Sequence, residues 1–397
     1  MVLVTMPAMF EKPTNPASAA PGAAQVSHNG APASGGGAVS LASNQGPVPG
    51  GEQATYAALD LGTNNCRLLV ARQRLPMAGD GGDDRVSLTG QPANGNHVFE
   101  VVDAFSRIVR LGEGLDRSGV LSRAAMDRTI DALKVCAAKI RRRRVLRARQ
   151  VATEACRRAA NCAEFLSRVR DETGLEVEII TSMEEASLAL AGCASLLDQD
   201  IPQAVVFDIG GGSTELMWSR LLPGQLEAEL IASVSLPLGV VNLSENFGGD
   251  LVSREAFENM VEKVRAPIEV FEARHGIGAQ IAAGRVQMLG TSGTVTTLAG
   301  IHLGLPFYER SKVDGCYLDF AELRHVIDRL MALDFKGRAL EPCIGPSRAD
   351  LVLAGCAILE AICRVWPVGR LRVADRGVRE GILSHLMGLP SDAQIGR

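Results

Sequence analysis

The feature that most constrains this chain is a short pattern that occurs twice. Asp60-Leu61-Gly62-Thr63-Asn64-Asn65-Cys66-Arg67-Leu68 can be laid over Asp208-Ile209-Gly210-Gly211-Gly212-Ser213-Thr214-Glu215-Leu216, 148 positions further on. Each copy is an apolar strand, an Asp-x-Gly turn of small or polar residues, and a second apolar strand. One strand–turn–strand device used twice predicts two related α/β halves. A tight turn at a strand end presents backbone N–H groups and a carboxylate, so two facing copies would grip a phosphate between two lobes.

The order of elements repeats around the two copies. In the first half, strands are expected at 56–61, 66–72 and 99–109, then a helix from Ser122 as N-cap to the run Arg141–Arg144. A strand near 150–152, a helix to about Thr173, a strand at 176–180 and a helix from Met183 follow. The second half restarts with strands at 204–209, 214–219 and 227–235, a helix at 254–274, a strand at 286–289 and a helix from Thr294. Later helices are expected at 323–333, 348–366 and 378–386. The expected division is an N-terminal extension over 1–53, a first domain over 54–182 and a second over 183–397, whose last helix could pack back on the first. Residues 1–53 are rich in Ala, Gly, Pro and Ser and cannot bury enough surface to offset their ordering entropy, so disorder is expected there. Residues 76–96 read as a long hairpin loop.

Bulk properties narrow the function. With a net charge of −4, the chain cannot hold a polyanion by its overall field and must gather donors locally, which argues against a general nucleic-acid coater. Its nine cysteines are odd in number and form no C-x-x-C pair, the usage expected of reduced thiols in the cytoplasm. No apolar run reaches the roughly 20 residues a membrane helix needs. Met1–Phe10 lacks the basic start of a secretory leader.

Several constellations can carry chemistry. In Asp208–Glu215 the three glycines Gly210, Gly211 and Gly212 let a backbone approach a phosphate, and Ser213 and Thr214 add hydroxyl donors. Carboxylates beside a phosphate would repel it, so Asp208 and Glu215 suit magnesium or water, with Asp60 as the matching carboxylate of the other copy. Gly62, Thr63, Asn64 and Asn65 form the corresponding polar turn. Gly290-Thr291-Ser292-Gly293-Thr294 offers a third anion-binding turn before a helix, though not a P-loop, or else a plain turn with Ser292 or Thr294 as N-cap. Of Arg157 and Arg158, one is expected on phosphate and one in solvent. Ser182 and Glu185 have the spacing of a capping box, while Glu185 also stands near the junction of the halves, where a general base could reach water. The run Arg141–Arg144 reads as a solvated helix end, or as a landing strip for a long polyanion.

Together these residues resemble the exopolyphosphatase/guanosine-pentaphosphate phosphohydrolase (Ppx/GppA) family, from about Tyr56 to Leu389. The motifs that carry the likeness are Ala58–Asn64, Arg110–Leu115, Ala152–Asn161, Glu184-Glu185-Ala186, Asp208–Glu215, Leu289–Thr294, Arg348-Ala349-Asp350 and Arg379-Glu380-Gly381. The resemblance implies two ribonuclease-H-like (actin-like ATPase) domains with an interdomain cleft, and Mg²⁺-dependent hydrolysis of phosphoanhydride bonds there. It implies Glu185 as general base, Arg157 on phosphate, and Asp208 with Glu215 as the acidic pair. The substrate would be inorganic polyphosphate or guanosine pentaphosphate; a non-catalytic (p)ppGpp binder and an ATP-using kinase of the same fold stay open. A homodimer is common in the family. Ending at Arg397, the chain is expected to resemble the short form without a C-terminal helical domain. Thr63-Asn64-Asn65 stands where the family often has Ser-Asn-Ser.

Overall fold

The computed structural model describes residues 54–73, 99–222, 228–247 and 252–388. The expectations for 1–53 and for the 76–96 loop lie outside the described residues. The first half holds β1 (Thr55–Leu61), β2 (Asn65–Gln73), β3 (Phe99–Ile108), α1 (Leu115–Ser118), α2 (Arg123–Arg142), β4 (Arg147–Ala152), α3 (Glu154–Arg158), α4 (Cys162–Thr173) and β5 (Glu178–Ile179). Its sheet runs β3-β2-β1-β4-β5, with β1 to β3 antiparallel and β4 and β5 parallel to β1.

After α5 (Ser182–Cys193) the pattern starts again. It comprises β6 (Gln203–Ile209), β7 (Thr214–Leu221), β8 (Ala228–Leu236), α6 (Val240–Phe247), α7 (Arg254–His275), α8 (Ile277–Ala282), β9 (Val286–Thr291), α9 (Ser292–His302), α10 (Arg310–Val313) and β10 (Tyr317–Asp319). It ends with α11 (Phe320–Met331), α12 (Phe335–Leu340), α13 (Val352–Val365), β11 (Arg370–Ala374) and α14 (Val378–Leu386). The second sheet, β8-β7-β6-β9-β11, repeats the first strand for strand and adds β10 antiparallel at its edge. The duplication inferred from one nine-residue pattern therefore extends through both sheets.

Local chemistry explains where the elements begin. Ser122 caps α2 by accepting from Ala125 N at 3.1 Å, and Ser253 caps α7 by accepting from Ala256 N at 3.0 Å. The single helix expected before Thr173 is two, α3 and α4. Asn161 separates them, its side-chain amide exchanging two hydrogen bonds with the Leu121 backbone. The helix expected from Arg348 begins at Val352. The short α6 and strand β11 were not anticipated.

Three apolar clusters form the interior. One lies within each half; the third joins them. It packs Ala58 and Leu69 of the first sheet and Val206 and Leu289 of the second against Leu190 of α5 and Ile382 of α14. These two helices cross at glycines. A Cβ on Gly381 would lie 2.1 Å from the Leu188 carbonyl oxygen, so only glycine permits this approach.

Candidate active site

The two hairpins are superposable devices. Asp60 sits opposite Arg67 and Asp208 opposite Glu215 in the same register. Gly62 N donates to Asn65 O and Gly210 N to Ser213 O, each at 2.9 Å. The copies differ in charge: the first sets an arginine beside its aspartate, the second a glutamate. Their turns touch. A Cβ on Gly211 would stand 2.9 Å from Asn64 Cβ and 3.0 Å from Asn64 N.

Surrounding chain orients these turns. Thr63 O accepts from Gly112 N, and Asn64 O from Val109 N and Arg110 N. Gly210 O accepts from Val240 N, Gly211 O from Val241 N, and Gly212 O from the Asn242 side chain. In a trans peptide the N–H of the next residue points the opposite way. The N–H groups of Asn64, Gly211, Gly212 and Ser213 thus face away from these partners, the side an anion would need.

Between the turns lies a cavity of about 970 Å³, open to solvent. Gly62 to Asn65, Gly210 to Ser213, Asp60, Asp208, Glu215, Glu185 and Ser292 all line it. Four expected residues do not. Thr214 turns its hydroxyl to Leu238 O at 2.7 Å. Gly290 lies in β9 under the Phe207 ring, and Thr291 donates to Arg376 O. Arg157 stands behind Glu185, with four of its five N–H donors taken by protein: Nε and Nη2 go to Glu154 Oε2, and Nη1 to Ile180 O and, at 2.8 Å, to Glu185 Oε2.

The capping reading of Glu185 is corrected. Thr181 is the N-cap of α5, accepting from Glu184 N at 3.1 Å, which leaves the Glu185 carboxylate to Arg157 and the cavity. Nor does Ser292 or Thr294 cap α9. Ser292 takes φ 81°, in the left-handed region, and donates its hydroxyl to Ile209 O at 2.5 Å. Two cavity-lining cations, Arg67 and Arg348, were not singled out as site residues. The cross-strand register opposite Asp60 was the available signal for Arg67.

Crowding of acids governs the electrostatics. Burial pushes Asp208 up to about 6, although Arg67 opposes it. Burial and then the Asp208 charge push Glu215 up to about 7, while Ser213 and Ser235 donate to it at 2.6 and 2.9 Å. Asp60 is raised by burial. Glu185 is raised well above the usual carboxylate range by burial and by Glu215, with Arg157 pulling the other way.

This donor set fits a hard cation. It is all oxygen, and Asn64 Oδ1 is buried with no hydrogen-bond partner. Among the described residues no three acidic, His or Cys side chains already converge on one point. Magnesium is commonly held by one or two carboxylates and completed by water and substrate phosphates.

Comparison with known proteins agrees with the geometry. The model of the Ppx/GppA phosphatase family matches residues 92–389. Exopolyphosphatase 2 of Mycobacterium tuberculosis is 30% identical over 342 residues, 84% of this chain and 98% of that protein. The crystal structure of the Aquifex aeolicus member of the Ppx/GppA family is 28% identical, covers 85% of this chain and 99% of its own, and has a TM-score of 0.63. An exopolyphosphatase structure from Cytophaga hutchinsonii shares the fold, with TM-score 0.70 at 22% identity over 84% of this chain and 98% of its own. The family model spans three quarters of the chain, and the protein belongs to the Ppx/GppA phosphatase family.

Proposed function

We propose that this phosphohydrolase is an exopolyphosphatase, which removes terminal phosphates from inorganic polyphosphate in the cytoplasm. The observation that carries the reading is a single cavity in which two N–H-presenting turns meet Asp60, Glu185, Asp208, Glu215 and the cations Arg67 and Arg348. Phosphoryl transfer needs little else from a protein than positioning and charge stabilisation. Among the described residues, no aromatic side chain lines the cavity to stack a base, which favours an inorganic chain over a guanosine nucleotide. The nine free thiols accord with the cytoplasm.

In the proposed reaction Glu185 takes a proton from a water that attacks the terminal phosphorus in line. The new P–O bond forms as the bridging P–O bond breaks, and the shortened chain keeps the bridging oxygen. Burial raises the proton affinity of Glu185 towards the working pH of a general base. Arg157, braced by Glu154, holds the Glu185 carboxylate in place. The turn N–H groups with Arg67 and Arg348 hold the phosphoryl oxygens. Asp208 and Glu215, with Asp60, would hold Mg²⁺, which supplies charge neutralisation at the phosphates.

One assay tests the reading: phosphate release from short polyphosphate, long polyphosphate and guanosine pentaphosphate, with magnesium and with chelator. Magnesium-dependent release from polyphosphate in preference to the nucleotide is expected. Faster release from guanosine pentaphosphate would make the protein a nucleotide phosphohydrolase. Binding without release would leave only a polyphosphate or (p)ppGpp binder.

A further inference from the structure

Beside the main cavity lies a second, smaller space, partly open to solvent. Asp60, Arg67, Asp208, Ser292 and Val378 line both spaces and so stand at the partition between them. The rest of the chamber's wall includes residues 375–380, which lead β11 into α14.

The charged groups of that wall fall into two classes. Most are taken. Glu380 accepts from Gly377 N at 2.9 Å and from Arg310 at 3.1 Å. Asp375 accepts from the Tyr308 hydroxyl at 2.8 Å. Arg376 donates to Asp314 and Ser195. Arg67 and Arg379 are different. Among the described residues neither guanidinium makes a hydrogen bond, and Arg379 comes only within 3.9 Å of Glu380 with its side chain 14% exposed. Their charge offsets Asp60 nearby, which accounts for cations here; Arg67 can also serve the substrate in the main cavity, but that leaves the donors of Arg379 without a use. Their N–H groups face the solvent of this space and not protein acceptors, and the planar fork of a guanidinium matches a phosphate.

We propose that this chamber is an orthophosphate site, in which Arg67 and Arg379 receive the phosphate released by cleavage. The inference rests on the hydrolytic reading above. Cleavage leaves orthophosphate beside the partition while the shortened chain still fills the main cavity. Product leaving by the same mouth would have to wait for that chain. A chamber across the partition lets the small anion step aside. Asp60 and Asp208 border this space too; theirs is the charge that magnesium would take in the main cavity.

The test has two arms. In the first, magnesium-supplemented wild type, Arg379→Ala and Arg379→Lys are titrated calorimetrically with sodium orthophosphate. Binding at least tenfold weaker in Arg379→Ala, partly restored in Arg379→Lys, is expected. In the second, orthophosphate inhibits hydrolysis of short polyphosphate. The inhibition constant should rise by the same factor in Arg379→Ala while KM stays within twofold. No orthophosphate binding to wild type, unchanged affinity in Arg379→Ala, or a KM that climbs with the inhibition constant would each overturn the proposal; the last would place Arg379 on the substrate path. Should Arg379→Ala fail to fold, Arg379→Gln takes its place in both arms. The calorimetric arm needs no turnover. A protein that binds orthophosphate through Arg379 but releases none from polyphosphate would defeat the exopolyphosphatase reading and leave this site standing.

Discussion

At the scale of single residues, Glu185 carries the sharpest expectation. Glu185→Gln keeps the shape and can still accept from Arg157, but it cannot take a proton. Phosphate release should fall by about two to four decades, with the melting temperature little changed. Near-normal release from the folded variant would remove Glu185 as base. Glu215 makes a prediction for stability. Its carboxyl is raised to about 7 in the folded protein, so between roughly pH 4 and 7 the folded state holds a proton that the unfolded chain has lost. This group's contribution therefore falls as pH rises through that window. In chelator at pH 8, Glu215→Gln should be more stable than wild type by about 1–3 kcal/mol, and the gain should fade towards pH 5. A gain that is equal at both pH values would show that charge is not its source. The acids Asp60, Asp208 and Glu215 were legible in sequence because each belongs to a hairpin with its own turn chemistry. Arg67 holds the register position of Glu215 in the other copy, but a cation there departs from the acidic pattern and was not singled out as a site residue. Arg157 was singled out for phosphate, but its donors meet Glu154 and Glu185.

At the scale of elements, small local errors moved a side chain from one role to another. Ser182 and Glu185 have capping-box spacing, yet the helix starts one residue earlier in effect, with Thr181 as N-cap. A one-residue shift turns a helix face by about 100°. It separates a carboxylate tied to its own helix start from one aimed into a cavity. Thr181→Ala should cost about 1 kcal/mol in denaturant unfolding and lower turnover more than KM, because the cap sets the first turn that carries Glu185. An effect on stability alone would make the cap purely structural. The crossing of α5 and α14 was not legible, although Gly381 was. Gly381→Ala places a methyl against the Leu188 carbonyl and should destabilise by about 1–3 kcal/mol or more, read as a lower denaturation midpoint. Wild-type stability in that variant would mean the helices can separate freely.

At the scale of the whole molecule, the two lobes are tied across the cleft by more than their shared core. Arg110, in the first half with φ 48°, meets Asp350 of the second at 2.9 and 3.1 Å and also donates to Ser347 O. Gly114 N adds a bond to Glu245 at 3.0 Å. Asp350→Asn should raise KM severalfold, with a stability change within about 1 kcal/mol because the pair is partly exposed. An unchanged KM would show that the clasp does not govern access. The sequence by itself determined the two strand–turn–strand devices, their acids and the α/β order, because alternation, turn residues and caps act over a few neighbouring positions. Only the tertiary structure decided which of those residues meet. The pairing of Arg157 with Glu185, the contact of Gly211 with Asn64 and the unspent donors of Arg379 depend on how two sheets pack around α5 and α14, and no local rule carries that information across so many residues.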